Sequence, residues 1–196
     1  LPSAYFVTEP ELQSIALTDA ERTIPLYHFQ PYVYPNDGET LSFCPDTEGH
    51  VFLALAEQTF LTNTRQDPGN LVRIADPSAH CNCHGWIFTA GKYVVQDADV
   101  LTILTDNGYE AIDDPREGDI AIFLSGRLAL HSAFVLQRPT SSKTYLQSKW
   151  GPFGVFNHGI GEHPFRGQCV FYRSQRRGHA LQIRPAAETK SSHTAM

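Results

Sequence analysis

The chain has 196 residues, 41% hydrophobic, 11% aromatic and 18% charged, a balance that fits a globular protein with one real core and, by length, a single domain. Its formal charge of -6 and the lack of a long basic run argue against nucleic acid and anionic membranes as partners, and no apolar run approaches the roughly 18 residues of a membrane span. Four cysteines are too few for a disulfide-dense scaffold and leave the compartment open, either cytoplasmic or secreted after removal of a leader.

The opening "TEPELQSIALTDAERTI" carries a capping-box-like Thr8-Glu9-Pro10-Glu11 and then apolar residues at helical spacing, which predicts a helix. The next stretch, Pro25 to Phe43, is aromatic and proline-punctuated; it predicts extended segments with a turn at Asn36-Asp37-Gly38. "HVFLALAEQTFL" predicts a short buried helix, followed by a polar loop to Asn70 and by "LVRIADPSAH". "CHGWIFTAGKYV" predicts a second helix ending near Gly91, and "QDADVLTILTDNGYEAI" a third, stopped at Asn107-Gly108. "GDIAIFL", "LALHSAFVLQ", "TYLQSKW" and "CVFYRS" predict a meander of antiparallel strands. Helices first and sheet afterwards is an α+β plan. It divides the domain into an N-terminal helical and extended region (1–79), a core (80–180) and a polar tail (186–196) expected to be disordered.

The stretch "HCNCHGWIF" (His80 to Phe88) concentrates chemistry and admits three readings. His80, Cys81, Cys83 and His84 are zinc ligands by type, but structural zinc sites separate paired ligands by roughly two to four residues, so this spacing is poor and remote help from His158 or His163 would be needed. A disulfide between neighbours this close is strained, which leaves Cys44 and Cys169 as the alternative partners. In the third reading Cys83 opens a helix capped by Asn82, where unpaired N–H groups and the positive helix end favour thiolate over thiol. Cys81, Cys44 and Cys169 are then small buried hydrophobes.

A thiolate nucleophile needs a base, and the base an orienting group. His131, a lone polar ring in the apolar strand "LALHSAFVL", is the base candidate, and Gln147 in "TYLQSKW" offers a carbonyl to hold its Nδ1–H; Ser148 points to the opposite face of that strand. Around the cysteine, Asn82 is a candidate to help the Cys83 N–H bind an oxyanion, and His84 and Trp150 to wall the cleft. Lys149 and His158 are read as surface residues.

At these residues the chain resembles papain-like thiol hydrolases of the NlpC and CHAP kind, bacterial cell-wall amidases and endopeptidases. "NCHGW" is similar to their helix-opening "DCSGF", "REGDIAIF" to "PGDLVFF", and "HSAFV" to "HVGIY"; "NCHGWIF" and "QSKWGPFGVFNH" look most like a poorly characterised bacterial branch. The resemblance spans Asn82 to about Asn157, and it departs at Asn82, His84 and Gln147, where the family carries other residues. It implies a papain-like fold with the cysteine helix packed on an antiparallel sheet, and no cofactor. The implied reaction is attack by Cys83, with His131 and Gln147, on an amide of a peptide or peptidoglycan stem through a thioester. An isopeptidase, deamidase or acyltransferase acting on a protein, toxin-like, is the alternative on the same site. A non-catalytic binding domain, with or without zinc, is the alternative of a different class.

Overall fold

A computed structural model describes residues 11–28, 35–36, 39–40, 48–64, 68–136 and 144–186. In chain order its elements are β1 (Leu12–Leu17), β2 (Thr23–Tyr27), β3 (Pro35–Asn36), β4 (Glu39–Thr40), α1 (Glu48–Asn63), β5 (Val72–Ala75), α2 (Cys83–Phe88) and α3 (Val100–Asp106). They continue with β6 (Glu110–Ile112), β7 (Ile120–Ser125), β8 (Leu128–Val135), β9 (Tyr145–Lys149), β10 (Val155–Gly159), β11 (Gln168–Arg173) and β12 (Gln182–Pro185).

The plan is mixed α+β, built on a seven-stranded antiparallel sheet of order β5-β10-β9-β8-β7-β11-β6. A three-stranded sheet, β12-β1-β2, joins the two ends of the described chain. Helices α2 and α3 and this small sheet lie on one face of the large sheet, where Ile24, Leu26, Ile87, Phe88, Ile103, Ile120 and Ile122 share one core. The opposite face carries Ala121, Phe123, Ala133, Val135 and Leu146, and beside them Trp150, Phe153 and Phe156 packed under Ala56, Phe60 and Leu61 of α1. Strand β7 is buried on both faces, which is why it reads as an unbroken apolar run rather than an alternating one.

The first expected helix is instead the hairpin β1–β2. The reason lies in its alternation: Ser14, Ala16 and Thr18 are buried while Ile15 and Leu17 between them are only half-buried, a period of two that the Thr-Glu-Pro-Glu start concealed. Helices α1, α2 and α3 occur over the expected stretches, but α1 runs 16 residues with Leu55 exposed rather than being short and buried, and α2 stops at Phe88, before Gly91; α3 ends at Asn107 and the left-handed Gly108 (φ 63°). Of the predicted turn, Asp37 and Gly38 lie outside the described residues, as do Cys44 and the tail from 187 onward.

Candidate active site

Two side-chain devices fix the start of α2. Asn82 caps it: its Oδ1 accepts the Gly85 N–H at 2.9 Å and the Val95 N–H at 3.2 Å, while its Nδ2 donates to the Val95 carbonyl at 2.7 Å. One amide thus ties the helix to the passing chain and satisfies a helix N–H that would otherwise be orphaned. Gly85 allows that chain to come close, since a Cβ there would stand 1.7 Å from the Tyr93 carbonyl oxygen. The capping role expected of Asn82 is therefore present. Its amide hydrogen bonding is directed at Val95 rather than at an oxyanion.

Cys83 is the first residue of α2 and keeps 7% of its surface exposed, against 1% for Cys81. Burial pushes the Cys81 thiol up to about 11, with Lys149 opposing and Cys83 adding to the rise; burial does the same to Cys169. Cys81, Cys83 and Cys169 are free thiols. His80 is on the surface, and among the described residues no group of three or more His, Cys, Asp or Glu side chains is placed to hold a metal ion.

His84 lies between α2 and the sheet, fully buried, and does not wall a cleft. Its Nδ1 is 3.0 Å from Ser132 Oγ on β8, and its Nε2 is 2.8 Å from the Ala129 carbonyl and 3.2 Å from Asp97 Oδ1. Burial alone drags an imidazole pKa down. Here the charge of Cys83, hydrogen bonds to Asp97 and Cys83, and the Asp97 charge outweigh it and hold the ring up to about 10, which favours the protonated ring with both nitrogens donating.

Lys149, expected at the surface, is 2% exposed on β9, and its Nζ donates to the Phe153 carbonyl at 2.7 Å. Burial pulls its pKa to about 8 against the opposing pull of Cys81, Cys83 and Glu57. Lys149 shares a sheet face with Gln147 and faces α2, which packs across β8 and β9. Sequence reasoning missed it. Strand parity, applied to "QSK", was the available signal, because it puts Lys149 on whichever face holds Gln147.

The expected base and orienting group are not assembled with Cys83. In β8, Ser132 pairs with Ile122 and Phe134 with Ile120, on the α2 face; His131 pairs with Phe123 on the other. A bulge is responsible. Ala129 pairs with Leu124 and His131 with the very next residue, Phe123, so Leu130 is an extra residue that reverses the alternation beyond it. With regular alternation and no bulge, His131 would share the α2 face with Ala129, two residues earlier. As it is, His131 stacks on Phe165 at 3.8 Å, lies 5.7 Å from the Phe123 ring and 6.1 Å from His163, and among the described residues neither of its nitrogens has a hydrogen-bond partner. Burial, then His158, His163 and His84, hold its pKa well below the ordinary histidine value.

Gln147 pairs with Phe134, not His131, and donates to Asn157 Oδ1 at 3.1 Å. It lies on the face opposite His131 and cannot fix that ring's tautomer. Ser148 does point away from Gln147, as expected, and its Oγ is 2.8 Å from His158 Nε2. Trp150 is also on that far side, donating from Nε1 to Ser148 Oγ at 2.9 Å among Phe60, Phe156 and Phe165, so it walls no Cys83 cleft. His158, expected at the surface, is fully buried in this network.

The face that holds Cys83 thus offers a thiol, a buried imidazole bonded to that thiol and to oxygen partners, and a buried amine of reduced basicity. The far face offers neutral imidazoles among aromatic rings. Among the described residues no helix is long and apolar enough to cross a membrane. No family model matches the chain, and neither do curated proteins or solved structures.

Proposed function

We propose that the chain is a thiol hydrolase of papain-like plan in which Cys83 attacks an amide carbonyl and forms a thioester. The observation that carries the reading is the setting of Cys83: first residue of a helix capped by Asn82, less deeply buried than Cys81, and hydrogen-bonded to the buried His84 imidazole that it helps hold protonated. A positive imidazole beside the nucleophile suits an oxyanion formed next to it. The substrate class that the resemblance implies is a peptide or a peptidoglycan stem. Isopeptidase, deamidase and acyltransferase chemistry pass through the same thioester and differ only in the acceptor that resolves it.

The test is reaction with p-nitrophenyl acetate, read as nitrophenolate release and by mass spectrometry. The proposal expects a burst of about one equivalent, with the acetyl group on Cys83, and no burst from Cys83→Ala. Acetyl groups on lysines alone, with an unmodified Cys83, would count against it.

A second reading, a non-catalytic binding domain on the same frame, is favoured by one observation. The imidazole beside Cys83, that of His84, is fully buried and shares its two nitrogens among Cys83, Ser132, the Ala129 carbonyl and Asp97, which suits a structural role. An unreactive Cys83 in the same experiment would select it.

A further inference from the structure

We propose that residues 160–167, the loop between β10 and β11, form an acid-released strap over the far-face histidines. Proton uptake by His131 and His163 frees the strap from the sheet and opens the floor beneath it to solvent. Nothing in this depends on how Cys83 reacts.

Ring contacts, rather than hydrogen bonds, hold the strap down. At its start Glu162 donates to the Gly159 carbonyl and accepts the Gly159 N–H at Oε2, both at 2.9 Å, and Ile160 donates to the Thr144 carbonyl at 3.1 Å. From His163 to Arg166 the hydrogen bonds among the described residues stay inside the strap: Phe165 donates to His163 Nδ1 at 3.2 Å, and the His163 ring bonds the Ile160 backbone. What reaches the sheet is aromatic. Phe165 stacks on His131 at 3.8 Å and meets Trp150 edge-on at 5.9 Å, while His163 meets Phe123 at 4.3 Å and His158 at 5.6 Å.

That attachment suits neutral rings. His131 is fully buried and, among the described residues, neither of its nitrogens has a partner, so an imidazolium there would carry two donors with nothing to accept them. The charges that reach it are those of other imidazoles, His158, His163 and, from the other face, His84, all of them adverse. His163 is the most exposed of the far-face three, and a charge on it stands 6.1 Å from His131 and 5.6 Å from His158. The neighbouring elements offer little relief. Glu162 acts on His158, but its carboxylate is already bound to the Gly159 N–H. Cys169 on β11, opposite Phe123, is a thiol pushed up to about 11, Glu57 of α1 is paired with Arg73, and Arg166 in the strap is itself positive.

Burial accordingly holds His131, His158 and His163 below the ordinary histidine value, His158 at about 4. Groups lowered in this way favour the closed strap fully above about 6.5 and lose that contribution as pH falls toward about 4. A charged ring regains its hydrogen bonds in water, and lifting the strap lets water in. Trp150, 1% exposed under Phe165, then becomes accessible.

The test is acrylamide quenching of Trp150 in the full chain with Trp86→Phe, read as the bimolecular rate constant from about pH 7.5 to about pH 4.5, with far-UV circular dichroism on the same samples. Release of the strap is expected as a reversible rise of roughly fivefold or more while the sheet signal is kept. His131→Phe combined with His163→Gln keeps the stack on Phe165 and removes two of the protons, so Trp150 should stay shut over that range. A flat constant in the folded protein overturns the inference. So does a rise that coincides with loss of the sheet signal, or one that is the same in the double variant. If the double variant does not fold, His163→Gln alone decides: its rise should move to lower pH, and an unmoved midpoint overturns the inference. If Trp86→Phe does not fold, deuterium uptake of residues 160–167 in the wild type, corrected for the intrinsic pH dependence of exchange, reads the same opening with the same outcomes.

Discussion

The two faces of the large sheet hold the same residue type in opposite states. Under α2, His84 is kept charged by Cys83 and Asp97 despite full burial, its pKa raised to about 10. Across the sheet, His131 and His158 are as fully buried and His163 half-buried, and they meet aromatic rings and one another; burial lowers all three, His158 to about 4. Burial is common to both sides, so it is not what decides protonation. A thiol and a carboxylate within reach decide it on one face, and their absence from the contacts of His131 decides it on the other. The dividing line runs between two adjacent residues, His131 and Ser132, and is set by the extra residue Leu130.

The sharpest way to break the contrast is His84→Ala, which removes a buried charge and leaves Ser132, Ala129 and Asp97 without their partner. The expected loss is about 4 kcal/mol in urea unfolding; a loss under about 1 kcal/mol would mean the ring is not held as an ion.

Next in size is pH. A raised histidine stabilises fully below its unfolded value and loses that contribution as pH rises through its folded value, so His84 weakens the fold between about 6.5 and about 10. A lowered histidine does the reverse: the far-face cluster contributes fully above about 6.5, and the fold loses this as pH falls toward about 4, on the order of 3 kcal/mol for His158. Thermal melts should therefore peak near neutrality and fall on both sides. His84→Gln should flatten only the alkaline arm, and His131→Phe part of the acid arm.

His131→Phe is itself expected to be neutral or to add about 1 kcal/mol, since an unpaired buried ring is replaced by an apolar one that keeps the stack on Phe165. A loss of about 2 kcal/mol or more would show that His131 has a partner in solution. The smallest effect belongs to Gln147→Ala, which breaks one half-exposed bond to Asn157 and should cost no more than about 0.5 kcal/mol with Cys83 alkylation unchanged.

What could be read from the residues follows from which signals are local. The α2 start was legible because Asn82, Cys83 and Gly85 act within one turn, through a cap, a first helical position and a close approach. The strands β7, β8, β9 and β11 were legible as apolar runs between turn residues. The pairing of Cys83 with His131 was not, because it depends on strand parity counted across a bulge, and nothing in "LALHSAF" marks Leu130 as the residue to skip. Gln147 failed by register: it was chosen as the neighbour of His131 but is opposite Phe134. Lys149 and His158 were misjudged because their polarity was taken as exposure, whereas each has a buried partner, the Phe153 carbonyl and Ser148 respectively.

The most direct test of this account is the rate of Cys83 alkylation at about pH 7 in His131→Phe beside the wild type. If the chemistry of Cys83 is run from its own face of the sheet, the two rates agree within about twofold. A paired general base is typically worth roughly a hundredfold or more, so a loss of tenfold or greater in folded His131→Phe would put His131 back beside the sulfur and contradict the account.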